Sequence, residues 1–247
     1  MIALYRTIAF VLFVLLWWFI SRAVGQTLVP NPWVTALAAV DLVRQGKLLV
    51  ALGESLSVYF SGYLLAALVA IPVGLLMGGF RLFGRTIEIY VNALTATPRV
   101  AFIPLIILFF GLGFQAKVTV VFLGAVMPII INTYAGVLNA DGELVEMARS
   151  TGANRAQIFR RILLPGATPF IVAGLRLGAT IGLINTVVAE LYTAVRGLGG
   201  LLAVYGNTFQ MAPYFVVVLT LALIGGVVTQ ALRLLESRVD RWRDAGD

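Results

Sequence analysis

Three charged residues stand inside, or at the edge of, long apolar runs: Arg99, Arg176 and Glu190. Ionisable groups at membrane depth are costly, so each is a functional candidate by default. Asn132, Asn185 and Thr186 can share a polar cavity with them. Arginines beside a path would help a small anion across an apolar barrier. Two structural readings stand next to this one. Arg176 pairs with a carboxylate or a carbonyl, or snorkels to the interface; Glu190 stabilises the outer end of a helix. The sequence contains no His and no Cys. The commonest general base, proton relay and zinc ligand are therefore missing, as are thiolate nucleophiles and disulfides. The acids at membrane depth form no evident pair, which argues against a membrane-embedded enzyme.

A second set of residues has informative spacing. Between Asp141 and Pro165 the chain carries Glu146-Met147-Ala148, then Gly152, then Ile162-Leu163-Leu164-Pro165. This stretch reads as two short helices. The first covers about 142–150 and ends near Gly152, a residue type that tolerates positive φ at a helix C-terminus. The second starts at Asn154, with Gln157 three residues on as in a capping box, and Pro165 is expected to stop it. Ile158, Phe159 and Ile162 form an apolar face, with Arg155, Arg160 and Arg161 elsewhere. Such an element suits docking into a groove of another protein. It equally suits lying on lipid headgroups, and composition alone favours the lipid.

Elements of a particular kind must hold these residues. Of 247 residues, 60% are hydrophobic and 12% charged, whereas soluble domains are about 25% charged. A disordered chain is excluded, because disorder needs low hydrophobicity and high charge. The composition is that of a polytopic, all-α membrane bundle. A crossing needs about 20 mostly apolar residues. Six such spans lie near 7–24, 56–80, 89–112, 117–137, 167–191 and 213–235, and they make a single membrane domain over 1–247. The first is read as a retained anchor, since no clear cleavage site follows it. Residues 28–32 are extended, because each proline biases its predecessor away from helix, and 33–50 form a short surface helix. The net charge of +7 is spread between apolar runs and implies no nucleic-acid partner. With both termini in the cytoplasm, eleven basic residues fall inside and five outside, as membrane orientation requires. The connection 138–166 is then cytoplasmic.

The second span carries Gly62, Ala66, Ala70, Gly74 and Gly78, a stripe of small residues that lets another helix approach closely. Gly174, Gly178 and Gly182 repeat the pattern on the fifth. The third span holds Pro98, Arg99 and Pro104. It is either broken backbone lining a pathway or a short helix starting after Pro98, with Arg99 at the interface. Gly79 to Thr86 imitate a phosphate-binding loop, but Arg85 fills the lysine position and no strand precedes it.

The spacing from Glu146 to Pro165 resembles the EAA loop of permease subunits in ATP-binding-cassette importers: Glu-Ala-Ala, three residues, Gly, nine residues, Ile, any residue, Leu-Pro. The one departure is Met147 for Ala. Leu28–Pro32, the runs at 74–78, 105–113, 123–137, 173–178 and 189–202, and the basic tail at 233–243 are similar to the nitrate, sulfonate and taurine type of these permeases. The resemblance implies a fold of the type I importer class and a subunit that forms the path of a small anion such as nitrate, bicarbonate or a sulfonate. It implies a second permease copy, two cytoplasmic ATPase subunits that carry ATP and Mg, and an extracytoplasmic binding protein. This chain is then no enzyme and holds no cofactor. Glu146, Ala148 and Gly152 would belong to the element that couples to the ATPase, and Ile162, Leu164 and Pro165 to the rest of the motif. Arg99, Asn132, Arg176, Asn185 and Glu190 would be the residues to look for along the path. A self-contained secondary transporter would instead show internal repeats or paired intramembrane carboxylates, and neither is evident.

Overall fold

The computed structural model describes residues 2–193 and 196–244. Among these there are helices and no strands. In order they are α1 (Ile2–Val24), α2 (Pro32–Arg44), α3 (Lys47–Gly79), α4 (Arg81–Ala96), α5 (Ile103–Phe110, entered through a 3₁₀ turn at Arg99–Phe102), α6 (Phe114–Leu138), α7 (Gly142–Ser150), α8 (Arg155–Ile158), α9 (Leu164–Thr193), α10 (Leu198–Asn207) and α11 (Met211–Asp244). Five stretches are long and apolar enough to cross a membrane: 4–24, 47–79, 114–138, 155–193 and 211–234. The side chains of Arg238, Arg241 and Arg243 in the basic tail lie outside the described set.

The third span is irregular, as its prolines imply. Residues 89–112 are not one helix. α4 and the 99–110 segment meet at 85°. Thr97 is extended at φ −77°, ψ 131°, as a residue before proline must be, and Pro98 cannot carry the ladder on. Twelve residues of helix reach about 18 Å, short of the roughly 30 Å hydrocarbon layer. The 99–110 segment alone is too short for a crossing.

The chain forms two compact units, one of residues 1–56 and 190–224, the other of 57–189 and 225–247. In the first, Asn31 caps α2 by accepting from the Val34 N–H at 2.8 Å. Trp17 donates to the Pro30 carbonyl at 3.0 Å and stacks on Phe215 at 5.9 Å. The second unit is organised around α6. Added to Gly62, a Cβ would lie 2.6 Å from Val121 Cβ; at Gly74 it would lie 2.6 Å from Thr133 Cβ and 2.9 Å from the Ile130 carbonyl. Gly78 meets Val137 in the same way. Ala66 and Ala70 are fully buried. On the other side, Gly174 packs against Asn132 and Ile129, and Gly178 against Ile129. The small-residue stripes of α3 and α9 thus both close on α6. Tyr59 and Tyr63 of α3 also donate to α9 carbonyls, at Ala179 (3.2 Å) and Leu175 (3.0 Å).

Lys117, one of the five basic residues counted as exterior, stands in the first turn of α6 and is buried. The aliphatic stem lets a lysine extend an apolar helix by a turn.

Widening the α3–α6 contact should cost stability. Gly74→Leu should lower the melting midpoint of the detergent-purified chain by several degrees, since overpacking costs about 1–3 kcal/mol. Gly53→Ala, at a glycine of α3 with nothing within 4 Å, should leave the midpoint unchanged or raise it. Equal behaviour of the two variants in a thermal melt would contradict this packing.

Candidate functional site

The connection between α6 and α9 is built from local signals. Asp141 opens α7 by accepting from the N–H groups of Glu143 (2.9 Å) and Leu144 (3.4 Å). Gly152 closes it at φ +82°, with its own N–H on the Arg149 carbonyl (3.0 Å) and the Ala153 N–H on the Ala148 carbonyl (2.9 Å). That pair of bonds is a Schellman closure, which favours glycine at the left-handed position. It also explains why Ala148 and Gly152 stand four apart. Asn154 and Gln157 then form the reciprocal capping box, at 2.9 and 2.8 Å, worth about 1 kcal/mol.

Two expectations are corrected here. Pro165 does not stop the second helix. Residues 155–193 run as one 39-residue helical span, with a π turn at Phe159–Leu163. The π turn widens the helix immediately before Pro165, where the ring and the missing N–H would otherwise break a regular α ladder. Nor do Ile158, Phe159 and Ile162 form an open ridge. Ile158 is buried, Ile162 is half-buried, and the Phe159 ring lies against Gly79. The outward apolar pair is on α7 instead: Leu144 and Met147 are 44% and 59% exposed. Glu146 is exposed beside them, Ala148 half-buried, Leu164 half-buried and Pro165 exposed. The exposed surface of this element is therefore a short, doubly capped helix anchored through α8 to a membrane-crossing rod.

The five polar residues of the apolar segments do not gather at one point. Three of them meet α6 near Pro128. Arg99 donates from Nη1 to the Gly124 carbonyl at 3.0 Å. Asn185 packs over Gly124, where a Cβ would lie 2.5 Å from its Nδ2, and donates to Ile181 at 2.8 Å. Asn132 donates to the Pro128 carbonyl at 2.8 Å. Arg176 is half-buried on α9, nine residues before Asn185 and hence about 13 Å away along the axis.

Glu190 sits in the other unit and is fully buried. Ser55 Oγ donates to its carboxylate at 2.8–2.9 Å, and the Gly199 N–H donates to Oε2 at 2.9 Å. Ser55 Oγ in turn accepts from the Leu198 N–H at 2.8 Å. Glu54 accepts from the Gly197 N–H at 3.0 Å and pairs with Arg196 at 3.7 Å. Two carboxylates and a hydroxyl thus take the N–H groups at the start of α10, where a helix presents unpaired donors and partial positive charge. Gly197, at φ +90°, cannot carry a Cβ, because the Glu190 carboxylate fills that space. Ser55 and Glu54 carry no sequence signal for this role; they lie far from the glycine run in the chain. The neighbouring Ala194 and Val195 lie outside the described residues.

Membrane-length apolar helices, with an exposed capped helix between two of them, define a polytopic helical membrane protein. Residues 70–241 match the family of binding-protein-dependent transport system inner membrane components. A probable ABC transporter permease protein of Brucella abortus is 33% identical over 92% of this chain and 91% of its own length. A putative aliphatic sulfonates transport permease protein, SsuC of Bacillus subtilis, is 31% identical over 90% of this chain and 80% of its own. The fold is that of the permease in an inward-facing form of the MetNI methionine ABC transporter, with a TM-score of 0.70 at 22% identity over 79% of this chain and 97% of that one. The chain belongs to the binding-protein-dependent permease family of ABC transporters. It is a multi-pass inner-membrane transport subunit, not an enzyme, and works with a separate ATPase and a substrate-binding protein.

Removing the Glu190 carboxylate strands the Ser55 hydroxyl and the Gly199 N–H. Each unsatisfied buried group costs about 1–3 kcal/mol. Glu190→Ala should therefore lower both the melting midpoint and the membrane level of the chain, and Gly197→Ala should do the same. Wild-type melting of both variants would show that the cluster does not hold α10.

Proposed function

We propose that the chain acts as a homodimer whose two copies form the pathway for a small anion, with 138–166 in the cytoplasm as the coupling loop. The observation that carries this is α7: an apolar pair, Leu144 and Met147, exposed on a helix closed at both ends and joined to a crossing rod. The inner placement is supported by parity. With the bent pair read as a sixth crossing, the two ends of the chain and the 138–166 connection share a side in this reading. The basic residues Arg149, Arg155, Arg160 and Arg161 fit the cytoplasmic face.

In this reading Glu146, Ala148 and Gly152 shape the surface offered to the ATPase, and Ile162, Leu164 and Pro165 join it to α9. ATP and Mg reside on the partner; this chain binds neither. ATP favours one global arrangement of the complex over the other, and the coupling loop transmits that difference. The bundles then alternate between outward-open and inward-open cavities. Arg99 and Asn185 at Gly124, with Asn132 and Arg176 roughly 12 Å further along the bundle, give the path its polar groups. A sulfonate-like, taurine-like, nitrate or bicarbonate cargo suits the arginines, and selection among them rests with the binding protein.

The chain should co-purify with its ATPase in equal numbers. The reconstituted complex should show ATP hydrolysis stimulated by the loaded binding protein, in a screen of small anions and heterocycles. Ala148→Asp should abolish uptake while leaving the permease in the membrane. Full uptake by that variant, or uptake without nucleotide hydrolysis, would overturn the assignment.

A further inference from the structure

In an α-helix each N–H donates to the carbonyl four residues back. Pro128 has no N–H, so the carbonyl it leaves without that donor is Gly124. This is the carbonyl to which Arg99 donates, at 3.0 Å. A freed carbonyl in an apolar environment is costly unless another donor takes it, and an arginine, always charged, is a strong donor. Asn185 closes the same carbonyl's residue from the α9 side, since its amide occupies the space beside Gly124. Arg99 is also the first residue after the 97–98 break, where α4 and the 99–110 segment meet at 85°. One hydrogen bond therefore joins two irregular points of this unit: the bend in the broken crossing and the proline gap in α6.

We propose that Arg99 is the latch of that bend. Its guanidinium supplies the hydrogen bond that Pro128 removes, and so pins the broken crossing to α6. In this role Arg99 is a positioning residue. Its use in transport rests on the reading of this chain as a pathway subunit; the bond itself does not. The bend is then held by a single exchangeable bond on a long side chain, next to Ile103, which is buried with Ile106, Ala116, Val120 and Ala189. A hinge held this way can be released without unfolding either helix.

A double-mutant cycle tests the latch, because Pro128→Ala restores the N–H that Gly124 lacks. The chain has no cysteine of its own, so Ile103→Cys gives one maleimide-reactive site that reports the hinge. Both are measured on the full chain in its purified complex. Arg99→Ala should lower the melting midpoint by about 2–6 °C, and adding Pro128→Ala should restore most of that loss. Labelling at position 103 should rise about five-fold or more in Arg99→Ala. It should stay raised in Arg99→Ala/Pro128→Ala, because the carbonyl is then satisfied within α6 while the pin is still missing. Should Arg99→Ala fail to accumulate while the double variant does, the latch is supported. Additive melting losses would overturn the shared carbonyl, and labelling that returns to the wild-type rate in the double variant would overturn the pin. ATPase co-purification reads the function assignment separately, so failure of one is distinguishable from failure of the other.

Discussion

The close approach of α3 and α9 to α6 is the constraint on which the second unit depends. Lipid tails are as apolar as leucine, so helices in a bilayer gain little from apolar burial and must gain from contact itself. Glycine at 62, 74, 78, 174 and 178 lets backbone meet side chain at distances that a Cβ would forbid. The phenols of Tyr59 and Tyr63, donating across from α3 to α9, add directional bonds in a medium with few competing partners. The result is a block of three helices from which the 139–163 connection projects between its second and third members.

That placement bears on the coupling role proposed for α7. α7 is closed by Asp141 and by the Gly152 Schellman bonds, α8 by its capping box, and the chain then continues without a stop through the π turn into α9. At 1.5 Å per residue, residues 155–193 reach roughly 60 Å, twice the hydrocarbon thickness. A push on α7 therefore meets a rod seated in the tightest packing of its unit. An element that yielded locally would dissipate the difference in nucleotide binding between states instead of passing it on. Two further irregular points lie beside the rod, at the 97–98 bend and at Pro128, and one hydrogen bond joins them. Rigidity along the rod and a releasable bond beside it are complementary requirements of alternating access.

Local features of this fold were readable from the chain, and distant ones were not. The small-residue stripe, the Gly152 closure and the Asn154–Gln157 box are set by residues within a few positions of one another, so spacing reveals them. The capped loop was identifiable because its signals are short-range. Pro165 misleads for a related reason: a proline stops a helix unless the turn before it relaxes, and a π turn leaves no mark in the spacing. Ile158 and Phe159 read as an open face because their cover, Gly79 among it, is far away in sequence. Ser55 meets Glu190, and Arg99 meets Gly124, only through the tertiary fold. An arginine aimed at a backbone carbonyl has no sequence pattern at all.

The account turns on whether α7 faces a protein or the bilayer surface, and a photocrosslinking amino acid at position 147, in cells that express the whole transporter, reads this directly. The predicted result is an adduct between this chain and its ATPase, with a yield that changes when nucleotide is trapped. Adducts confined to lipid, or capture of the extracytoplasmic binding protein from the same position, would contradict it.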